Sequence, residues 1–190
     1  MTTNTTTTSA LPLASGRWLL DPNHSAVGFT IRHLGVSKVR GHFRTFDAEL
    51  LVGDDLASTS LTATIQIASL DTGNSDRDAH VLSPDLLDVE RRPTMTFRST
   101  SITGSGHDYE VAGELTIGEV TRPTTLTVEF GGTEPFPGGP VHAGFEAYTE
   151  IRRKEFGIDI AMPPGVSGAL LGDAVKVELD IQLLQPTDPS

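Results

Sequence analysis

The chain has 190 residues, 25 acidic and 14 basic, with a net charge of −11 at neutral pH. That length suits one domain with a substantial core. The acidic balance speaks against nucleic acid and anionic membrane surfaces as partners, since both demand clustered Lys and Arg. The lack of cysteine excludes disulfides, thiolate nucleophiles and thiolate metal ligands, and no apolar run approaches the ~20 residues of a membrane-spanning helix.

Residues 1–16, MTTNTTTTSALPLASG, are Thr-rich and uncharged. They lack the basic n-region and continuous apolar h-region of a signal peptide, so they read as a disordered tail, with the cytoplasm as the expected location. One domain is expected over residues 17–185, and a second short tail over 186–190. A first strand opens at Arg17 and ends at the Asp21-Pro22-Asn23 turn. Val27, Phe29 and Ile31 then share one parity, as do Val39, Gly41 and Phe43. Phe46, Ala48, Leu50 and Val52 take the opposite parity, which predicts a β-bulge at Arg44-Thr45. Leu61, Ala63, Ile65 and Ile67 alternate with Thr62, Thr64 and Gln66, the pattern of a strand with one wet face.

Residues 69–97 form the only long stretch without strand alternation. Asp71-Thr72-Gly73-Asn74 is turn chemistry. Asn74 or Ser75 is positioned to cap a helix within residues 74–82, with Asp76 at its positive end. Ser83-Pro84 predicts a second helical turn over 84–87, and Arg91-Arg92-Pro93 ends the segment. A single helical crossover carrying Asp76, Arg77, Asp78 and His80 in an otherwise β chain suits a lid. Ion pairs of Arg77 with Asp78 and of Arg153 with Glu155 are expected to fasten it.

The strand begun by Met95 and Phe97 slips parity near residues 99–101. Tyr109, Val111, Gly113, Leu115 and Ile117 line the next face, and Gly118-Glu119 turns the chain. Leu126, Val128 and Phe130 follow, then an expected Gly/Pro loop over 131–140. Ala143, Phe145, Ala147, Thr149 and Ile151 make another strand. One helical turn is expected at 154–157 and irregular chain over 158–173, which includes Met162-Pro163-Pro164-Gly165. Val175, Val177, Leu179, Ile181 and Leu183 make the last strand. Eight or nine amphipathic strands joined by short turns define an antiparallel all-β protein. A sheet that long curls, splits or closes, and alternation alone suits an up-and-down barrel and a sandwich equally.

The inward parity is aliphatic, with small residues at Gly28, Gly41, Gly113, Ala63, Ala143 and Ala147. These either leave room for a ligand or sit in a tightly packed core with glycines at bulges. No HxH, HExxH or GxSxG occurs, so neither a metal site nor catalytic residues are expected. The glycines near 131 and 138 lack the Lys and Ser/Thr of a phosphate-binding loop.

SLDTGNSDRDAH at 69–80, followed by LLDVERRPTMTFRST at 86–100, resembles the YceI family, lipocalin-like proteins associated with polyisoprenoid binding. Asp21-Pro22-Asn23-His24-Ser25 with Phe29, His33, Gly41 and Phe43 resembles that family's N-terminal motif. Val111-Ala112-Gly113-Glu114-Leu115-Thr116-Ile117 with Val120-Thr121-Arg122-Pro123 resembles its central hairpin, and Ile151-Arg152-Arg153-Lys154-Glu155-Phe156-Gly157 its last motif. Three departures stand out. Leu86-Leu87 replaces an aromatic pair, Arg92 an aromatic before the proline, and Gly118-Glu119 a His-Gly turn.

The resemblance implies a lipocalin-like antiparallel up-and-down barrel of about eight strands with one short helical crossover. It implies a non-enzymatic protein that holds a long apolar small molecule, an isoprenoid lipid or quinone-type ligand, and has no other cofactor. The expected ligand contacts are Val27, Phe29, Ile31, Phe43, Leu61, Ile65, Ile67, Met95, Phe97, Val111, Gly113, Leu115, Leu126, Val128, Phe145, Val177 and Leu179. His24, His33, Arg77, His80 and Arg153 are the expected head-group or lid residues. Neither nucleic acid binding nor membrane insertion is expected, and a homodimer is left open. Two other readings compete: an enzyme using His24 or His80 with crossover carboxylates, with or without a metal, and a ligand-free β-sandwich interaction module.

Overall fold

A computed structural model describes residues 10–160 and 170–187. The strands are β1 (Gly16–Leu20), β2 (Ala26–His33), β3 (Ser37–Phe43), β4 (Phe46–Val52), β5 (Ser60–Gln66), β6 (Leu70–Asp71), β7 (Thr94–Ser105), β8 (Asp108–Ile117), β9 (Val120–Pro135), β10 (Val141–Arg152) and β11 (Leu171–Gln185). All pairings are antiparallel, and the ring β1-β4-β5-β7-β8-β9-β10-β11 closes on itself through β1–β11. The fold is thus an eight-stranded up-and-down barrel. β2, β3 and β6 extend one end of it, with β2 pairing to the first part of β11.

The register bears out the alternation. Leu61, Ile65, Val111, Leu115, Leu126, Val128, Val177 and Leu179 border the interior, and Thr62 is exposed. The parity break at Arg44-Thr45 is a bend between β3 and β4 rather than a bulge within one strand. The slip near residue 100 is a register shift between Ser99 and Ser101. β9 runs on through Gly131 and Gly132 to Pro135, where a loop was expected: Gly132 pairs with Gly144 and Phe130 with Phe145, and Gly131 is the one extra residue taken up by the register shift. β11 starts at Leu171, inside the stretch expected to be irregular. Met162-Pro163-Pro164-Gly165 lies outside the described residues.

The described part of the expected N-terminal tail is packed, which corrects the reading of residues 10–16. Leu11 is buried in the cluster that holds Trp18, Ile102, Tyr109, Phe130 and Leu183, and Leu13 packs against it. Trp18 Nε1 donates to Ala14 O at 2.9 Å. The segment forms a floor at the end of the barrel away from the crossover.

The crossover begins with helix α1 (Ser75–Leu82). Asn74 caps it, its side chain accepting from Arg77 N at 2.9 Å. Eight residues make a marginal helix in isolation, so its stability comes from tethers described below. The expected helical turn at 84–87 is instead a series of hydrogen-bonded turns, with Leu86 N donating to Ser83 O and Leu87 N to Val81 O. The turn at Arg153–Phe156 is a 3₁₀ turn closed by Gly157 in the left-handed region, φ 69°.

Candidate functional site

Two adjoining chambers occupy the barrel. The floor chamber has a volume of about 180 Å³ and presents only apolar atoms; Leu11, Leu61, Phe97, Leu115, Leu126 and Ile181 are among its walls. The alanines Ala48, Ala63 and Ala147 also line it, so small residues on the inward parity do leave space there. The crossover chamber, about 250 Å³, is walled by residues including Phe29, Ile31, Phe43, Leu86, Leu87 and Ile117. Val27, Ile65, Met95, Ile151 and Val177 border both chambers and form the waist between them.

Polar side chains meet the interior at the crossover end. His33, Thr72, Arg77, His80 and Arg153 line that chamber. Thr72 is the tether of α1: Asp78 accepts from Thr72 N at 3.0 Å and from its hydroxyl at 2.6 Å. Arg77 donates to Thr72 Oγ1 at 2.7 Å and Thr72 O at 2.8 Å. Arg77 and Asp78 therefore grip Thr72 from two sides rather than pairing with each other, because the helix start projects both toward the preceding turn.

Arg153 is 5% exposed. Its guanidinium donates to Gly172 O, Ile158 O and Leu171 O at 2.8, 2.8 and 2.9 Å. It also pairs with Asp159 at 3.1 Å, in place of the expected Glu155. A buried cation requires such a ring of acceptors. Arg153 thereby pins the last turn to β11, and that bond, together with Ile160 N, holds the Asp159 carboxyl below its usual range.

Arg92 closes the other side of the lid. It donates to Leu87 O and to Gly157 O, each at 3.1 Å, and its stem lies against Gly118, where a Cβ would come within 2.7 Å of Arg92 Cγ. The Leu86-Leu87 pair, both members 8% exposed, packs under this clamp. The family departures at 86–87, 92 and 118 thus belong to one packed assembly.

Of the expected apolar contacts, Val27, Phe29, Ile31, Phe43, Ile65, Met95 and Val177 line the crossover chamber. Leu61, Phe97, Val111, Leu115, Leu126, Val128, Phe145 and Leu179 line the floor chamber. Ile67 is fully buried in a 3₁₀ turn and lines neither. Gly113 also lines neither: a Cβ there would meet Phe97 Cζ at 2.4 Å and Arg98 O at 2.5 Å. The space left by its missing side chain is filled by the Phe97 ring, as Gly41 seats Phe29.

His24 is not at the mouth. It sits in the turn between β1 and β2, and its Nδ1 pairs with Asp21 at 2.8 Å. That hydrogen bond is the main cause of the lowered Asp21 pKa, reinforced by Asn23 N and Gln182. Among the described residues no three His, Asp or Glu side chains converge to hold a metal, and no helix is long and apolar enough to cross a membrane. Leu11, Val39, Leu86, Leu87, Ile151 and Ile158 are lining residues absent from the expected set. Val39 and Ile151 carried a signal, since they continue the inward parity of Phe43 and of Phe145 and Ala147.

An antiparallel eight-stranded ring, an apolar two-chambered interior and one helix-covered end with polar groups define a lipocalin-like barrel. Comparison with known proteins narrows this. The YceI-like domain model matches residues 18–183, and the chain belongs to that family. Protein YceI of Escherichia coli is 37% identical over 142 residues, 74% of each chain. A UPF0312 protein of Photorhabdus laumondii is 38% identical over 142 residues, again 74% of each. The YceI protein of Campylobacter jejuni superposes with a TM-score of 0.70 at 27% identity, covering 83% of this chain and 91% of that one. A polyisoprenoid binding domain from Saccharophagus degradans shares the fold at a TM-score of 0.62 and 12% identity, covering 91% of this chain and 100% of the other.

Proposed function

We propose that the barrel sequesters one long apolar isoprenoid-type molecule, a polyprenyl chain or an isoprenoid quinone, with its polar end toward the crossover. The observation that carries this reading is the pair of chambers sharing a five-residue waist. Together they offer a passage along the barrel that is apolar at the floor and polar only at the covered end. Each buried methylene contributes ~0.8 kcal/mol, so a chain of moderate length is held without any strong polar contact. The name of the Saccharophagus domain, polyisoprenoid binding, points the same way for this architecture. Binding rather than catalysis is favoured because Arg77 and Arg153 already serve structural acceptors. His33, and His80 whose Nε2 lies 3.8 Å from Asp85, are the groups best placed to meet a hydroxyl or quinone carbonyl.

Filling the passage tests the reading. Leu115→Trp adds bulk at a floor-chamber wall with ordinary strand backbone. Titration with a polyprenyl alcohol should give saturable binding to the parent and at least ~10-fold weaker binding to the variant, with the far-UV spectrum unchanged. Equal affinity of two folded proteins would place the ligand elsewhere.

A further inference from the structure

We propose that the β2–β3 hairpin is a docking surface for an anionic lipid bilayer, set so that the crossover chamber opens beside the membrane. This rests on the sequestration reading above.

The argument begins with charge. Residues 26–46 contain Arg32, Lys38, Arg40 and Arg44 and not one Asp or Glu, in a chain whose 25 carboxylates all lie elsewhere. Arg44 is paired with Asp71. Arg32, Lys38 and Arg40 are exposed. Among the described residues no carboxylate lies within ion-pair distance of these three. Asp173, at the irregularity of neighbouring β11, is taken up by Arg152 and by Lys154 N. Arg32 and Lys38 stand directly opposite each other in the ladder. Like charges so placed destabilise a hairpin, and a negatively charged surface would relieve that repulsion.

The tip adds apolar surface. Leu34 is 53% and Val36 83% exposed, the latter the most exposed large apolar side chain among the described residues. Leu34 adopts a left-handed φ of 52° and Gly35 follows at 70°. The loop holds three residues, 34–36, between paired His33 and Ser37. A residue other than Gly, Asn or Asp at positive φ is uncommon, so a leucine there is held in a costly conformation with its side chain in water. Two apolar side chains flanked by three unpaired cations match the interfacial layer of a bilayer, where cations meet phosphates and apolar groups reach the acyl boundary.

Position supplies the purpose. Leu34 N donates to Leu170 O at 2.9 Å, and His33, Leu170 and Leu171 line the crossover chamber. The tip therefore stands at the wall of the chamber in which a lipid's polar end is expected. The crossover, which borders the same chamber, carries Asp76, Asp78 and Asp85, so the basic face is confined to the hairpin side. Screening over ~8 Å at physiological salt lets this local face act despite the net charge of −11.

Flotation with vesicles of phosphatidylcholine, with and without 30% phosphatidylglycerol, tests the proposal on the full chain. The parent should bind the anionic vesicles, bind the neutral ones at least ~10-fold more weakly, and release in high salt. Each basic residue contributes about fivefold, so the triple change Arg32→Gln, Lys38→Gln, Arg40→Gln should weaken binding about 100-fold. Val36→Ser, at a site too exposed to disturb folding, should weaken it severalfold and separate insertion from plain charge attraction. Equal partition to both vesicle types, no binding to either, insensitivity to the triple change, or equally tight binding of heparin would each overturn the docking surface. Uptake of a polyprenyl alcohol is scored separately. A protein that takes up the alcohol but ignores anionic vesicles keeps sequestration and loses docking. One that docks but takes up no alcohol keeps the bilayer surface, loses sequestration, and overturns the delivery role.

Discussion

Gly113→Ala distinguishes a ligand passage from a ring seat at that position. In a strand with ordinary backbone the change would usually stabilise, by about 0.4–1 kcal/mol, through the unfolded chain. Here the new Cβ would lie 2.4 Å from Phe97 Cζ, 2.8 Å from Phe97 Cε2 and 2.5 Å from Arg98 O. The ring has room to swing toward the floor chamber it lines, but the carbonyl belongs to β7 beside its register shift and moves only with the strand. Overpacking of this kind costs about 1–3 kcal/mol, so a net loss of about 1–2 kcal/mol is expected. For a chain of this size that lowers the melting temperature by about 2–8 °C. Gly41→Ala is the comparison. The three atoms nearest its Cβ would all belong to side chains, Phe29 Cζ at 2.5 Å, Phe29 Cε1 at 2.8 Å and Thr72 Cγ2 at 3.0 Å, and Phe29 has the crossover chamber to turn into. Its loss should stay below about 1 kcal/mol. Thermal unfolding of both variants without ligand is the assay. A Gly113→Ala protein as stable as the parent, or less affected than Gly41→Ala, would refute the ring-seat account.

Three further outcomes follow from the same contacts. Arg92→Ala removes the two hydrogen bonds that join Leu87 O and Gly157 O, worth about 2 kcal/mol together; hydrogen exchange over residues 83–92 should quicken, and unchanged protection would deny the clamp. Leu11→Ala should cost about 2 kcal/mol by opening a hole in the floor cluster, whereas a loose tail would register within ~0.5 kcal/mol in urea unfolding. Asp21 has a lowered folded pKa, so its contribution is present above the unfolded carboxylate value of about 3.9 and is lost as pH falls through the folded value. Asp21→Asn should accordingly be less stable at neutral pH yet lose less on acidification below about pH 4; parallel acid limbs for parent and variant would contradict this.

The strand faces were legible in the sequence because a ladder forces side chains to alternate, so Leu61 and Ile65, or Val177 and Leu179, could hold only one side. Both parity breaks, at Arg44 and near Ser99, could be placed for the same reason. The Asn74 cap and the charges behind it marked α1. What escaped depends on distant partners. Leu11 sits in a Thr-rich run that looks solvated, and only the barrel's open end gives it a place. A glycine on the inward parity reads as space, and only the cross-strand ring shows that Gly113 and Gly41 are filled. Arg153 looked free to meet a head group until residues 158, 171 and 172 brought their carbonyls around it. His24 shares a motif with the interior residues Phe29 and His33, but the Asp21 turn leaves it against Asp21, off both chambers.

The most direct test of the central claim is mass spectrometry of an organic extract from protein purified without detergent. Sequestration predicts about one long isoprenoid-type lipid per chain, and its loss from the extract of folded Leu115→Trp protein. An extract free of apolar chains, from protein that also fails to take up a polyprenyl alcohol, would contradict the claim, as would equal lipid from parent and variant.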